Sequence, residues 1–146
     1  MRKIATLLVV LAALMGAVNG SAATGFQDET LHYKVMYKWG FISKVAGYAT
    51  LHLETSPTVY EAVLTARSAK WADRIYALRD TLYTTMSPKT MLPDNYVYIA
   101  HENGTYKHDQ VKFSHVGDQF TGIATRKYRN KKGEWSEESK TLIATG

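Results

Sequence analysis

From Leu31 to Trp39 the chain alternates: Leu31, Tyr33, Val35, Tyr37 and Trp39 are apolar or aromatic, and His32, Lys34 and Lys38 between them are polar, with Met36 the one exception. A period of two sends successive side chains to opposite faces of a pleated strand and is incompatible with a helix stripe. The rhythm returns after a connection spanning Gly40 to Gly47. Over Tyr48 to Glu54, Ala49, Leu51 and Leu53 oppose Thr50, His52 and Glu54, which implies a hairpin. Pro57 interrupts, and Val59 to Ala69 alternates again, with Tyr60, Ala62, Leu64 and Ala66 on one face.

Trp71 to Ser87 is ambiguous, because Trp71, Ile75, Leu78 and Leu82 also recur at helical spacing. Thr81, Tyr83, Thr84 and Thr85 give it β-type composition, so the expectation is a short turn at Trp71 to Asp73 followed by a strand. Ser87, Pro88 and Pro93 mark a loop. Tyr96 to Glu102 and Thr105 to His115 flank Asn103-Gly104, a dipeptide that fits a type I′ hairpin turn. Gly117-Asp118 precedes a strand over Phe120 to Arg129, and Asn130 to Gly133 leads into a last strand from Glu134 to Ile143. All three prolines are expected in connections, as strands paired on both sides require. Short connections favour antiparallel neighbours. The fold class expected is all-β, an antiparallel meander of about eight strands forming a strongly curved sheet or open barrel.

The first residues obey another rule. Arg2 and Lys3 precede an apolar run from Ile4 to Val18, and Asn19 to Ala23 are small or polar, the layout of a secretory signal peptide at 1–23, cut after Ala23 with Gly20 and Ala22 as the alternative positions. Fifteen helical residues span about 22 Å, short of the roughly 30 Å hydrocarbon core, so no membrane span is expected after cleavage. The remaining 24–146 is one β-rich domain, long enough to fold without staples. With no cysteine, neither a disulfide nor a lipidated terminus is available. Without Arg2 and Lys3, 16 basic residues face 13 acidic ones, so the folded part is only mildly basic. Together with export, that argues against nucleic acid as a partner.

Candidate chemistry is sparse. His101 and Glu102 open like a zinc-protease helix, but Thr105 stands where the second histidine belongs. His101, Glu102, His108 and Asp109 flank one hairpin and offer imidazole and carboxylate. In register, however, Glu102 faces Thr105 and Ala100 faces Lys107, which puts His108 beside Ile99 and away from His101, so no metal site and no cofactor are expected. Arg79-Asp80 is more pointed: alternation puts Asp80 on the face of Tyr76, Leu78 and Leu82, where a carboxylate needs a partner such as Arg67, Arg74 or backbone N–H. Nothing nearby supplies a nucleophile, so the chain is read as leaning away from enzymatic activity, with no catalytic residue assigned. Arg126, Lys127, Arg129, Lys131 and Lys132 surround Tyr128 in a patch that fits a polyanion, although Glu134, Glu137 and Glu138 follow and can neutralise it. Asn103-Gly104-Thr105 matches a glycosylation acceptor that a glycine turn explains equally well.

Leu31-His32-Tyr33-Lys34-Val35, Trp39-Gly40-Phe41-Ile42, Ala46-Gly47, Arg79-Asp80-Thr81, Leu92-Pro93 and His101-Glu102-Asn103-Gly104 together resemble an exported bacterial domain of unknown function, family 3108, especially its Bacteroides-type members. The resemblance covers essentially all of Thr30 to Gly146. It implies export to the cell envelope and a β-rich fold, and it brings no established reaction. It further implies an N-terminal fragment of a longer domain, since members usually continue into a segment with an Asp, a Ser and a Tyr-x-x-Arg pattern; the strand from Glu134 would then expose an edge.

Ten tyrosines and three tryptophans add amphipathic rings suited to a lipid or sugar. The expected function is therefore non-catalytic binding of an amphipathic envelope component, lipid or glycan, in the concavity of a curved sheet. The alternatives are a hydrolase or metal-dependent enzyme, and a structural or assembly protein of the envelope with an envelope protein as its partner.

Overall fold

A computed structural model describes residues 26–145. The signal peptide expected at 1–23 lies outside them. Eight antiparallel strands form one sheet in sequential order: β1 (Glu29–Trp39), β2 (Ile42–Thr55), β3 (Tyr60–Ser68), β4 (Leu78–Met86), β5 (Pro93–Glu102), β6 (Thr105–Val116), β7 (Gln119–Arg129) and β8 (Trp135–Thr145). Among the described residues β1 and β8 each pair on one side only, so the meander is open and not a closed barrel. No helix among the described residues is long and apolar enough to cross a membrane.

Turn chemistry sets the register. Asn103 and Gly104 both have positive φ, 46° and 87°, as a type I′ turn demands, and Glu102 stands opposite Thr105. Gly117, at φ 58°, serves the two-residue turn that sets Val116 opposite Gln119. Between Trp71 and β4 the chain makes one 3-10 turn, Ala72–Arg74, in place of the helix that the Trp71 to Leu82 spacing also allowed.

Two expectations are corrected. β2 begins at Ile42 and not at Tyr48, because the Gly40-Phe41 turn sets Trp39 opposite Ile42 and a bulge at Ala46 absorbs the register change. The bulge turns two carbonyls toward the β3–β4 connection. The Trp71 indole donates to Val45 O at 2.7 Å and Ala69 N–H to Ala46 O at 2.8 Å. Pro93 belongs to a strand, as the first residue of β5 opposite Met86, where a missing N–H costs no ladder bond.

One sheet gives one sheltered face. Leu51, Leu64, Leu82, Tyr98 and Val111 lie on it, yet among the described residues Ala100 is the only apolar one that is fully buried. The rest are half-buried, and along the β1 edge Val35 and Trp39 stay 50% and 73% exposed. Domains normally bury a sheet face against a second layer, and no second layer is present among the described residues.

Candidate functional site

Alternation divides the residues singled out by the sequence between the two faces. Arg79 and His101 face each other across β4 and β5 on one side, and Asp80 and Glu102 project to the other. The side carrying Arg79 and His101 curls over β1 to β5 into an open hollow of ≈ 560 Å³. His32, Lys34 and Arg67 line it with those two, and Tyr48 and Thr50 line its β2 wall. Lys34, Tyr48, Arg67, Arg79 and His101 are successive register partners, one from each strand.

Arg79 is held in place. Its guanidinium donates to both oxygens of Asp73 at 3.0 and 2.7 Å and to Ser68 Oγ at 3.0 Å, while Ser68 Oγ donates to Asp73. These bonds, the arginine's foremost, pull the Asp73 carboxyl down to about 2. Arg67, directly opposite Arg79, lies over the Tyr48 ring at 5.5 Å and forms no ion pair among the described residues.

On the opposite face Asp80 has alanines, Ala66 and Ala100, as its two cross-strand partners. Their small side chains leave the carboxyl free to reach along β5. Tyr98 Oη donates to Asp80 Oδ2 at 2.7 Å and lies 3.2 Å from Glu102 Oε1, and Tyr76 Oη donates to Glu102 Oε2 at 2.7 Å. Of the partners expected for Asp80, Arg67 and Arg74 are replaced by the Tyr98 hydroxyl, while backbone N–H, that of His101, takes part as expected. Burial, reinforced by the Glu102 charge and only partly offset by the Tyr98 hydrogen bond, raises the Asp80 pKa, and Oδ1 is buried without a hydrogen-bond partner. The hydrogen bond to Glu102 lifts Tyr76 to about 12, and burial beside Asp80 raises Tyr98. The arrangement is a pair of carboxyls bridged by tyrosine hydroxyls.

His108 pairs with Ile99 and Asp109 with Tyr98, the register expected, so His101 and His108 do not meet. No group of three or more His, Asp or Glu side chains able to hold an ion occurs among the described residues. The basic run is dispersed. Arg126 makes a two-pronged pair with Asp109 at 2.7 Å, Lys127 sits 3.8 Å from Glu137, and Arg129 stacks on Trp135 at 5.7 Å. Lys131 and Lys132 occupy the β7–β8 turn. Neutralisation thus comes partly from Glu137, as expected, and partly from Asp109, which the sequence placed elsewhere.

His32, Lys34, Tyr48, Asp73 and Tyr98 escaped sequence reasoning, and Arg67 was expected beside Asp80 and not in the hollow, since these roles exist only through cross-strand register and, for Asp73, through the turn before β4. One signal was available: Thr-Leu-His occurs at 30–32 and again at 50–52. Antiparallel pairing sets each histidine against the other copy's threonine, Thr30 Oγ1 to His52 Nδ1 at 2.7 Å and His32 Nδ1 to Thr50 Oγ1 at 3.1 Å.

Fold and site together define an open, single-sheet β-domain with a cation-lined hollow on one face and a carboxyl pair on the other. The chain belongs to the family described as Protein of unknown function (DUF3108), whose model matches residues 32–142. Comparison with curated proteins gives no match, and comparison with solved structures gives none either.

Proposed function

We propose that this protein is an exported, periplasmic or secreted domain that binds an amphipathic component of the cell envelope, lipid or glycan, without transforming it. What supports the reading is the hollow over β1 to β5. It is open to solvent, has donors on its walls, and is flanked by Tyr48 and Ile99, rings and methyl groups on which an apolar or sugar portion can rest. Export is the reading of the charged, apolar and small-residue sequence at 1–23, and a Bacteroides-type envelope is the setting that the family resemblance favours. Native mass spectrometry of the processed protein, together with a lipid and glycan array, tests the proposal. A retained or captured amphiphile is the expected result, and a protein that carries and captures none overturns it.

A second reading, an envelope assembly protein, is favoured by the two open edges. Both β1 and β8 offer unpaired backbone, and β8 holds Leu142 and Ile143 at 56% and 64% exposure. Capture of an envelope protein that is lost when prolines are placed in β8 would favour this reading over the first.

A further inference from the structure

We infer that the hollow is a phosphoryl-binding site, with Arg67 as its principal ligand and Arg79, fixed by Asp73, as its rigid companion. The inference rests on the binding role proposed above and names the chemistry of the ligand's charged group.

The register carries it. Lys34, Tyr48, Arg67, Arg79 and His101 form one line across β1 to β5, and with strands about 4.8 Å apart the line spans about 19 Å. Tyr106, Arg129 and Trp135 extend it to the far edge, so the row crosses the whole sheet without an acidic residue.

Like charges set directly opposite each other destabilise a sheet. Where this sheet sets Arg126 against Asp109 and Lys127 against Glu137, each cation has its counter-charge within the ladder, while Glu54 opposite Glu61 is a second like-charge pair, of the other sign and outside the hollow. Arg67 and Arg79 are opposed without such relief within the row. The one counter-charge comes from outside the ladder, where Asp73 grips Arg79 with two bonds. Asp73 fixes the plane of one guanidinium and leaves the other, and Lys34, without an ion-pair partner among the described residues. An anion bound at Arg67 would supply the counter-charge that Asp73 supplies to Arg79.

The wall selects the kind of anion. One step along the strands lies a second row of register partners, His32, Thr50, Thr65 and Thr81, which brings threonine hydroxyls and a ring beside the cations. A phosphoryl group has enough acceptor oxygens to engage a guanidinium fork and hydroxyl donors at once, while a carboxylate has two. The planar fork of Arg67 suits phosphate better than a lysine would.

The processed full chain should be titrated with inorganic phosphate, with acetate, and with vesicles of phosphatidylglycerol or of an uncharged glycolipid, at low and high salt. Phosphate or phosphatidylglycerol should bind, each at least about tenfold more tightly than its uncharged or carboxylate counterpart, and the affinity should fall about tenfold or more as salt shortens the screening length. Binding of free phosphate alone identifies a soluble phosphoryl ligand, and binding of the vesicles alone identifies a lipid headgroup; both support the inference. Arg67→Ala should cost roughly tenfold or more, Arg67→Lys should restore part of it, and Lys89→Ala, on the β4–β5 connection, should leave it unchanged. Circular dichroism of each variant confirms that the sheet is intact. Acetate binding as well as phosphate, or unaltered phosphate binding by a folded Arg67→Ala variant, overturns the inference. Glycolipid capture without any phosphoryl preference overturns it too and leaves the binding role standing. Phosphate binding through Arg67 with no amphiphile captured overturns the amphipathic role instead.

Discussion

The Tyr98 hydroxyl lies between two carboxyls, 2.7 Å from Asp80 on β4 and 3.2 Å from Glu102 on its own strand. It has one proton to give, so the second short contact is satisfied only when a carboxyl is itself protonated. A carboxyl whose folded pKa lies above its unfolded value binds its proton more firmly when folded. Asp80 therefore favours folding most below the ordinary value of 3.8, and that contribution is lost as pH rises through the raised folded value. Asp80→Asn keeps an acceptor for Tyr98 and removes the charge. It should raise stability near neutral pH by about 1 kcal/mol and give no gain in acid, as read by urea unfolding across pH. An equal gain at every pH would show that charge is not the cause.

Tyr98→Phe removes the shared hydroxyl and leaves both carboxyls. The loss should be about 1–3 kcal/mol near neutral pH and smaller in acid, where one carboxyl can donate to the other. Tyr76→Phe, which touches Glu102 alone from an exposed position, should cost less.

Asp73 reports the opposite sign. Its carboxyl is held down to about 2 by Arg79 and Ser68, so its contribution is complete above 3.8 and disappears as pH falls toward 2. The midpoint of thermal unfolding of Asp73→Asn should lie below that of the natural protein at neutral pH and converge with it in strong acid. A constant offset would assign the effect to packing.

Gly47 tests the bulge. A Cβ placed there would stand 2.8 Å from the backbone oxygen of Arg67, which cannot swing aside. Gly47→Ala should cost about 1–3 kcal/mol by forcing β2 and β3 apart. At Gly122 the nearest atom is a Val111 side-chain carbon at 3.4 Å, so Gly122→Ala should be the milder change. Denaturant midpoints of the two variants decide it.

Gly104, at φ 87°, occupies a conformation that L side chains resist, and Asn103 beside it also has positive φ. Gly104→Ala should cost about 1–2 kcal/mol, and the amide of Asn103, bonded to Ala77 O at 2.7 Å, should lose hydrogen-exchange protection along with the turn.

Much of the fold was legible because strands announce themselves locally. The Asn103-Gly104 dipeptide set the β5–β6 register residue by residue, down to Glu102 opposite Thr105, and alternation assigned each strand its faces. The start of β2 was not legible, since a bulge at Ala46 is decided by which carbonyls Trp71 and Ala69 reach from another part of the chain. The site was half legible. Arg79, Asp80, His101 and Glu102 were conspicuous as residues, but adjacent pairs in sequence fell on opposite faces, and their hydrogen-bond partners came from Ser68 on β3, Asp73 and Tyr76 before β4, and Tyr98 on β5.

The sequence by itself determined that the chain forms about eight antiparallel strands and that Asn103-Gly104 turns with positive φ, because side-chain period and backbone φ act between near neighbours, and it left the strand order open. Only the tertiary structure decided that Lys34, Tyr48, Arg67, Arg79 and His101 stand in one line and that Asp80 meets Tyr98. Those relations depend on the summed register of several strand pairs, and a shift of one residue in any of them moves every later side chain to the other face.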